Sequence, residues 1–216
     1  MQDKPILYMS PGSHHARRVL LLIREMGFEV EEQIIDVRPP GMGGENEGSE
    51  FLALNPAGKV PVLRDGSLIL SESNAIMTYL AETHGPTTLW PSDADARAKI
   101  SQWQFFQAAH ISPTTDGFLF ENVVKPMTGQ PSDAKALDQL TSTFHRWCRV
   151  LSHTLSQADF LVGNQLSCAD LSVACAFMYE RAAQLPVAEH TAVESWLRRI
   201  QRRDSWITTE PPSQPM

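Results

Sequence analysis

The sequence predicts a protein of two domains, an α/β N-terminal half followed by an all-α C-terminal half. Strand-like and helix-like segments alternate in the first 84 residues, a Gly/Pro-rich stretch follows, and no convincing strand comes after it. With 216 residues, of which 42% are hydrophobic and 20% charged, the chain can form two small hydrophobic cores. We therefore expect domains at 1–84 and 93–216, joined by a linker at 85–92.

The N-terminal domain begins with a strand, a helix and a second strand. Residues 5–9 form a short apolar segment, which predicts a strand. Residues 14–26 carry apolar positions at helical spacing before Gly27 and predict a helix, and residues 28–37 predict the second strand. The next segment, 39–50, is rich in Pro, Gly and acidic residues and predicts a mobile loop with little helical character.

A hairpin and a helix complete this domain. The segments 60–64 and 67–70 flank Asp65-Gly66, the strongest short signal for a β-hairpin, and a helix opens near Ser71. The predicted order is β-α-β-loop-β-β-α.

The C-terminal domain is predicted to be a bundle of helices. Ser92 with Asp95 indicates a helix start, and Pro113 should kink or break that first long helix. Further helices are expected at 133–157, after the capping pair Ser167 and Asp170, and at 190–203, with a loose tail at 207–216.

Composition excludes several classes of function. A net charge of −7, with scattered basic residues, argues against nucleic acid as a partner. No window approaches the length of a membrane span, and the three cysteines and seven histidines show no metal-ligand spacing. We expect buried thiols, no metal, no membrane and a cytoplasmic protein.

One proline stands inside a predicted strand, in the stretch Asn55-Pro-Ala-Gly-Lys-Val-Pro-Val-Leu63. Proline cannot donate to a strand ladder, so Pro61 either lies at the strand's start or edge, or follows a cis bond that turns the main chain of Val60 outward. The residues alone leave both alternatives open.

This stretch, followed by Asp65-Gly66 and by Glu72-Ser73 at a helix opening, resembles the glutathione-binding half of the cytosolic glutathione transferases. The resemblance extends over most of the chain and implies a thioredoxin-like N-terminal domain followed by a helical bundle. It implies a cis Val60–Pro61 bond, with Val60 pairing its main chain with the cysteinyl unit of glutathione. Glu72 and Ser73 would bind the γ-glutamyl end, and Lys59 the glycyl carboxylate.

The resemblance places the catalytic group where the first strand meets the first helix. Ser13, after Pro11-Gly12, resembles the serine of bacterial and other serine-type members, like the delta and theta classes, which donates a hydrogen bond to the glutathione sulfur. Ser10 is the alternative, and Ser13 is also a good helix N-cap. His14 stands where the otherwise similar beta class has a cysteine; we expect the pair His14-His15 to be a solvated helix start.

Glutathione is thus the expected co-substrate, and a hydrophobic electrophile the expected substrate, in a detoxifying homodimer. The resemblance implies that the electrophile lies between the domains, near Phe106, His110 and Phe118, although about half of the aromatic residues there must pack in the core, and His110 could be a core histidine. The alternatives are glutathione-dependent disulfide or peroxide reduction, and a non-catalytic scaffold with the same fold.

Overall fold

The computed structural model describes residues 4–38, 42–85 and 88–211, and these form two compact units. The first unit contains the described residues 4–85 and those from Asp204 onward. The second unit contains Thr88–Arg203. The described residues 204–211 therefore belong to the first unit, whereas the sequence placed all of 93–216 in the helical domain.

A four-stranded mixed sheet forms the centre of the first unit. Strand β1 runs parallel to β2 and antiparallel to β3, which pairs with β4, in the order β2-β1-β3-β4. The strands are β1 Ile6–Met9, β2 Glu31–Ile34, β3 Val62–Asp65 and β4 Leu68–Ser71.

Ten α-helices are found in the described part of the chain. Four belong to the first unit: α1 His14–Met26, α2 Ser49–Leu54, α3 Ser73–Thr83 and α10 Asp204–Thr208. The second unit contains α4 Ala94–Phe106, α5 Ser112–Leu119, α6 Lys125–Met127, α7 Ala134–Leu155, α8 Cys168–Cys175 and α9 Thr191–Gln201.

These elements confirm the predicted α/β and all-α halves, with small shifts. Asp65 of β3 pairs with Leu68 of β4 as the last pair of the ladder. The hairpin loop is therefore Gly66-Ser67, one residue later than expected. Gly66 adopts φ 57°, a conformation that glycine reaches at no steric cost.

The segment 39–50 is the main departure in the first unit. Residues 39–41 lie outside the described part, but a 3₁₀ turn at Glu45–Glu47 and helix α2 follow where a loop was predicted. Phe51 of α2 is buried against Tyr8, with the ring centroids 6.4 Å apart, in a small cluster with Ile35 and Val62. Burial of this one aromatic side chain stabilises a helix of six residues, which is too short to be stable by itself.

Pro113 does not break its helix. A π turn at Gln107–Ile111 joins α4 to α5, and Pro113 then lies in the first turn of α5, where its missing N–H is not needed. The second π turn, at Phe120–Val124, precedes Pro126 of α6 in the same way. The wider turn accommodates each proline, so the helical path continues.

A buried carboxylate anchors the start of α8. Asp170, fully buried, accepts hydrogen bonds from the N–H groups of Leu161 and Ser167 and from Trp196 Nε1, and Ser167 completes the predicted capping box. Burial raises the pKa of Asp170, while these hydrogen bonds act to lower it. Its role is structural, as the sequence indicated.

The three cysteines are free and buried, as predicted. Burial raises the pKa of the Cys148 and Cys168 thiols to about 12, so these groups stay protonated near neutral pH. No helix among the described residues is both long enough and apolar enough to span a bilayer.

Candidate functional site

A tight turn connects β1 to α1 and carries both candidate serines. The Ser13 N–H donates to the Ser10 carbonyl at 3.0 Å, so the two serines close the turn around Pro11-Gly12. Ser13 is the N-cap of α1, and its Oγ accepts a hydrogen bond from the Ala16 N–H at 3.3 Å. Because the cap uses only a lone pair of the oxygen, the hydroxyl proton of Ser13 is available for another acceptor.

The potential at the start of α1 favours an anion. The first turn contains no acidic residue, so the partial positive charge of the helix end is not neutralised there. Arg18, almost fully buried, lies close enough to lower the pKa of both neighbouring histidines.

The expectation of a solvated His14-His15 pair is wrong. His14 is buried and His15 half-buried, with their rings 3.9 Å apart. Burial is the main cause that lowers the pKa of both rings; with Arg18 and Lys59 it lowers the pKa of His15 to about 3. Both imidazoles are therefore neutral near pH 7, and the positive charge of this region comes from Arg18 and Lys59.

The turn before β3 presents Lys59 and Val60. Asn55, buried, donates from Nδ2 to the Lys59 carbonyl at 2.7 Å and accepts the Ala57 N–H at 3.1 Å, while Gly58 adopts φ 62°. The Lys59 side chain is exposed and makes no ion pair with any described residue, so its ammonium group can bind a carboxylate.

The Val60–Pro61 peptide bond is cis, as the resemblance implied. Pro61 is buried directly before β3, so it removes no hydrogen bond from the ladder. Within the described residues, the N–H and C=O groups of Val60 have no hydrogen-bond partner. These two groups can therefore pair with an extended peptide ligand.

Helix α3 begins with an open N-terminus. Its N-cap is Glu72, which has φ 70° and makes no side-chain capping hydrogen bond. A non-glycine residue in this region of the Ramachandran plot costs about 1–3 kcal/mol, a strain that concentrates at functional sites. Ser73 is buried, and its hydroxyl has no partner among the described residues. Ser73 is therefore not the N-cap of α3, and the first-turn N–H groups of α3 suit a carboxylate.

Strand register places these three segments at the same end of the sheet. Tyr8 of β1 lies opposite Val62 of β3, and Val62 lies opposite Ser71 of β4. Ser10 therefore follows β1 at the end where Val60 precedes β3, and Glu72 follows β4 at that same end. The result is one edge with two helix N-termini, an unpaired strand segment and a free ammonium group, an arrangement suited to a peptide with carboxylates at both ends.

The sequence did not identify two asparagines that build this edge. Asn46, buried, donates from Nδ2 to the Gly58 carbonyl at 3.2 Å and accepts the Arg38 N–H at 3.0 Å, and Asn55 holds the Lys59 carbonyl. Asn55 opens the motif that carries the resemblance, so its position was known without its role. Asn46 stands in the acidic, Gly-rich segment and gives no sequence signal.

The predicted electrophile-lining residues lie in the second unit and differ in exposure. Phe106 and His110 are half-buried; Phe106 meets Trp147 edge-to-face at a centroid distance of 5.5 Å, and the His110 ring lies tilted against Trp147 at 4.5 Å. Phe118 is buried and packs against Phe144 at 5.9 Å, which favours the core-packing alternative for this residue. The substrate-binding role of all three stays a prediction.

Comparison with known proteins identifies the family to which both halves belong. The family descriptions "Glutathione S-transferase, N-terminal domain" and "Glutathione S-transferase, C-terminal domain" match residues 7–88 and 108–204. A probable glutathione S-transferase from Oryza sativa subsp. japonica is 29% identical and aligns over 92% of each chain.

Solved structures agree over nearly the whole chain. Glutathione S-transferase-I bound with lactoylglutathione is 26% identical, with a TM-score of 0.85 over 96% of this chain and 99% of its own. A delta-class glutathione transferase from Nilaparvata lugens is 27% identical, with a TM-score of 0.77 over 96% of this chain and 90% of its own. The chain belongs to the glutathione S-transferase family.

Proposed function

We propose that this protein is a glutathione transferase that transfers the glutathione thiolate to an electrophilic small molecule, with Ser13 as hydrogen-bond donor to the sulfur. The observation that carries the proposal is the open N-terminus of α3, where strained Glu72 and partnerless Ser73 match the needs of an α-amino acid end. Ser73 and the N–H groups of α3 would bind the γ-glutamyl carboxylate, and the Glu72 carboxylate the ammonium. Lys59 would bind the opposite, glycyl carboxylate.

The sulfur would lie between these ends, where the main chain of Val60 holds the cysteinyl unit. Lowering a thiol pKa by two units requires about 2.7 kcal/mol of preference for the thiolate. A hydrogen bond from the Ser13 hydroxyl to a charged group supplies about 1.5–3 kcal/mol, and the N-terminus of α1 about 0.3–1 kcal/mol. These two contributions are sufficient for the thiol to release its proton to solvent. The thiolate then attacks the electrophilic carbon, and the new C–S bond replaces the carbon–halogen bond of an aromatic halide, which leaves as halide, or a C–O bond of an epoxide, which opens to a hydroxyl.

The serine chemistry resembles that of the delta and theta classes, and support for a serine at this point comes from the cap geometry of Ser13. The likeness to these classes and a bacterial source stay predictions. A hydrophobic electrophile near Phe106 and His110 is the proposed substrate, because both rings are only half-buried and form one aromatic cluster with Trp147.

Charge distribution supports the proposed homodimer. Acidic residues outnumber basic ones by twelve to seven in residues 1–87. In the second unit, Arg146, Arg149 and His153 line a groove between α4 and α7, and neither arginine has an ion-pair partner among the described residues. The acidic first unit of a second copy would complement this groove. We expect sedimentation analysis to show a dimer, and we expect the double variant Arg146→Glu/Arg149→Glu to weaken that dimer. The expected location is the cytoplasm.

Retention on immobilised glutathione tests the proposal, with elution by free glutathione and not by cysteine. The retained protein should then conjugate glutathione to at least one aromatic halide or epoxide. Turnover of peroxides or mixed disulfides alone would favour the reductase alternative. Retention without any turnover would favour a scaffold, and no retention would contradict glutathione binding itself.

A further inference from the structure

The last described helix, α10, packs against α1, the helix that Ser13 caps. Trp206 of α10 is 3% exposed, and Ser205 Oγ donates to Glu25 of α1 at 2.5 Å. We call Ser205, Trp206 and Thr209 the C-terminal strap, since together they fasten the end of the chain to α1.

Arg17 of α1 forms the main contact with the strap. Its side chain, 3% exposed, donates from Nη2 to the Trp206 carbonyl at 2.9 Å and from Nε to Thr209 Oγ1 at 3.3 Å. The guanidinium group also lies 4.2 Å from the centroid of the Trp206 ring. Two directed hydrogen bonds and a cation–π contact restrain both the position and the plane of the guanidinium, which a lysine cannot reproduce.

Arg17 is also one helical turn from Ser13. The Arg17 N–H donates to the Ser13 carbonyl at 2.9 Å, while the Ser13 hydroxyl accepts the N–H of Ala16. Helix ends fray unless they are held, and a displacement of about 1 Å at a reacting group can cost a hundredfold in rate. The strap therefore fastens the one turn of α1 whose position decides where the Ser13 hydroxyl points.

We propose that Arg17 and Trp206 are positioning residues that hold the first turn of α1 so that the Ser13 hydroxyl stays aligned with the glutathione sulfur. This inference rests on the proposed function, because it assigns to Ser13 the role of thiolate donor. Arg17 acts through Ser13 and touches neither the sulfur nor the electrophile.

The experiment titrates the thiolate absorbance of bound glutathione against pH in the full-length protein. The variants are Arg17→Met, Arg17→Lys, Trp206→Ala and Thr209→Val, each alone and in a Ser13→Ala background. Arg24→Met is the matched control, because it removes the same charge from the far end of α1, where Arg24 pairs with exposed Glu32. Melting temperatures and glutathione dissociation constants are measured in parallel.

We expect Arg17→Met and Trp206→Ala each to raise the midpoint by about 0.5–1 unit, which is a three- to tenfold loss of thiolate below the midpoint. Arg17→Lys and Thr209→Val should shift it less, since each keeps part of the contact, and Arg24→Met not at all. In the Ser13→Ala background none of these changes should add a shift, because the hydroxyl that they align is absent.

Three results would overturn the inference. A midpoint at the wild-type value in Arg17→Met and Trp206→Ala, with only the melting temperature lowered, would make the strap purely structural. A shift in Arg17→Met without one in Trp206→Ala would mean that the charge of Arg17 acts directly on the sulfur. Shifts that persist in the Ser13→Ala background would mean the same. Failure of the proposed function is separate: the wild type would bind no glutathione, or Ser13→Ala alone would leave the midpoint unmoved.

Discussion

Replacing Ser13 removes two interactions at once, and the structure allows them to be separated. The Ser13 oxygen accepts the Ala16 N–H as the cap of α1, and its hydroxyl proton is proposed to bind the thiolate. Alanine removes both roles, whereas glycine removes the hydroxyl but remains an acceptable N-cap residue. Comparison of Ser13→Ala with Ser13→Gly therefore isolates the donor role.

The expected magnitudes differ for the two roles. Loss of the cap costs about 1 kcal/mol of folding free energy with alanine and only a few tenths with glycine. Loss of the charge-assisted hydrogen bond removes about 1.5–3 kcal/mol of thiolate stabilisation in both variants. The pKa of bound glutathione should thus rise by about 1–2 units in both, and conjugation near neutral pH should fall about ten- to a hundredfold.

The assay combines a pH titration of bound-thiolate absorbance with thermal unfolding and glutathione binding, for Ser13→Ala, Ser13→Gly and Ser10→Ala. Glutathione affinity should change little, because the contacts proposed for the carboxylates and main chain of the tripeptide do not involve Ser13. A wild-type midpoint in both Ser13 variants, with a shift in Ser10→Ala, would transfer the donor role to Ser10. Unmoved midpoints in all three would refute the serine mechanism.

Three further outcomes are expected. Lys59→Met should weaken glutathione binding about three- to tenfold, and by less at high salt, since an exposed ion pair is screened; titration calorimetry at two ionic strengths measures this. Asp170→Ala should lower the free energy of unfolding by about 3–6 kcal/mol in urea, because the buried donors of Leu161, Ser167 and Trp196 lose their acceptor, whereas an equal midpoint would contradict the anchor role. The thiols of Cys148 and Cys168 should resist iodoacetamide at pH 9 in the native protein and react in denaturant. Because folding raises the pKa of both thiols from 9.0 to about 12, the free energy of unfolding should fall as the pH rises from 9 to 12.

The backbone features of the candidate site could be predicted because their signals are local. Pro61 inside a strand pattern, Asp65-Gly66 between two apolar runs and Glu72-Ser73 at a helix opening each restrict the backbone within a few residues. The cis bond at Pro61 and the hairpin are confirmed within one residue. The role of each side chain toward glutathione stays a prediction.

The features that were missed depend on contacts distant in sequence. Helix α2 has only six residues and is stabilised where Phe51 meets Tyr8, a pairing that no local pattern reveals. Pro113 was predicted to kink or break its helix, and periodicity could not show that a π turn precedes it and lets the helix continue. The predicted loose tail at 207–216 was wrong in its first described residues, since α10 continues to Thr208 and Thr209 Oγ1 accepts a hydrogen bond from Arg17.

Because α10 packs in the first unit, that unit can complete its folding only late in synthesis. Arg17 and the Trp206 carbonyl that it binds are 189 residues apart, so this contact can form only after the whole second unit has left the ribosome. Until then the face of α1 that contacts Trp206 is exposed to water, and the first unit lacks the packing of α10 against α1. A fragment that ends at the linker would keep this open face permanently. The first unit should therefore be expressed with residues 204–211 attached, for example by circular permutation, rather than cut out at the boundary that the sequence indicates.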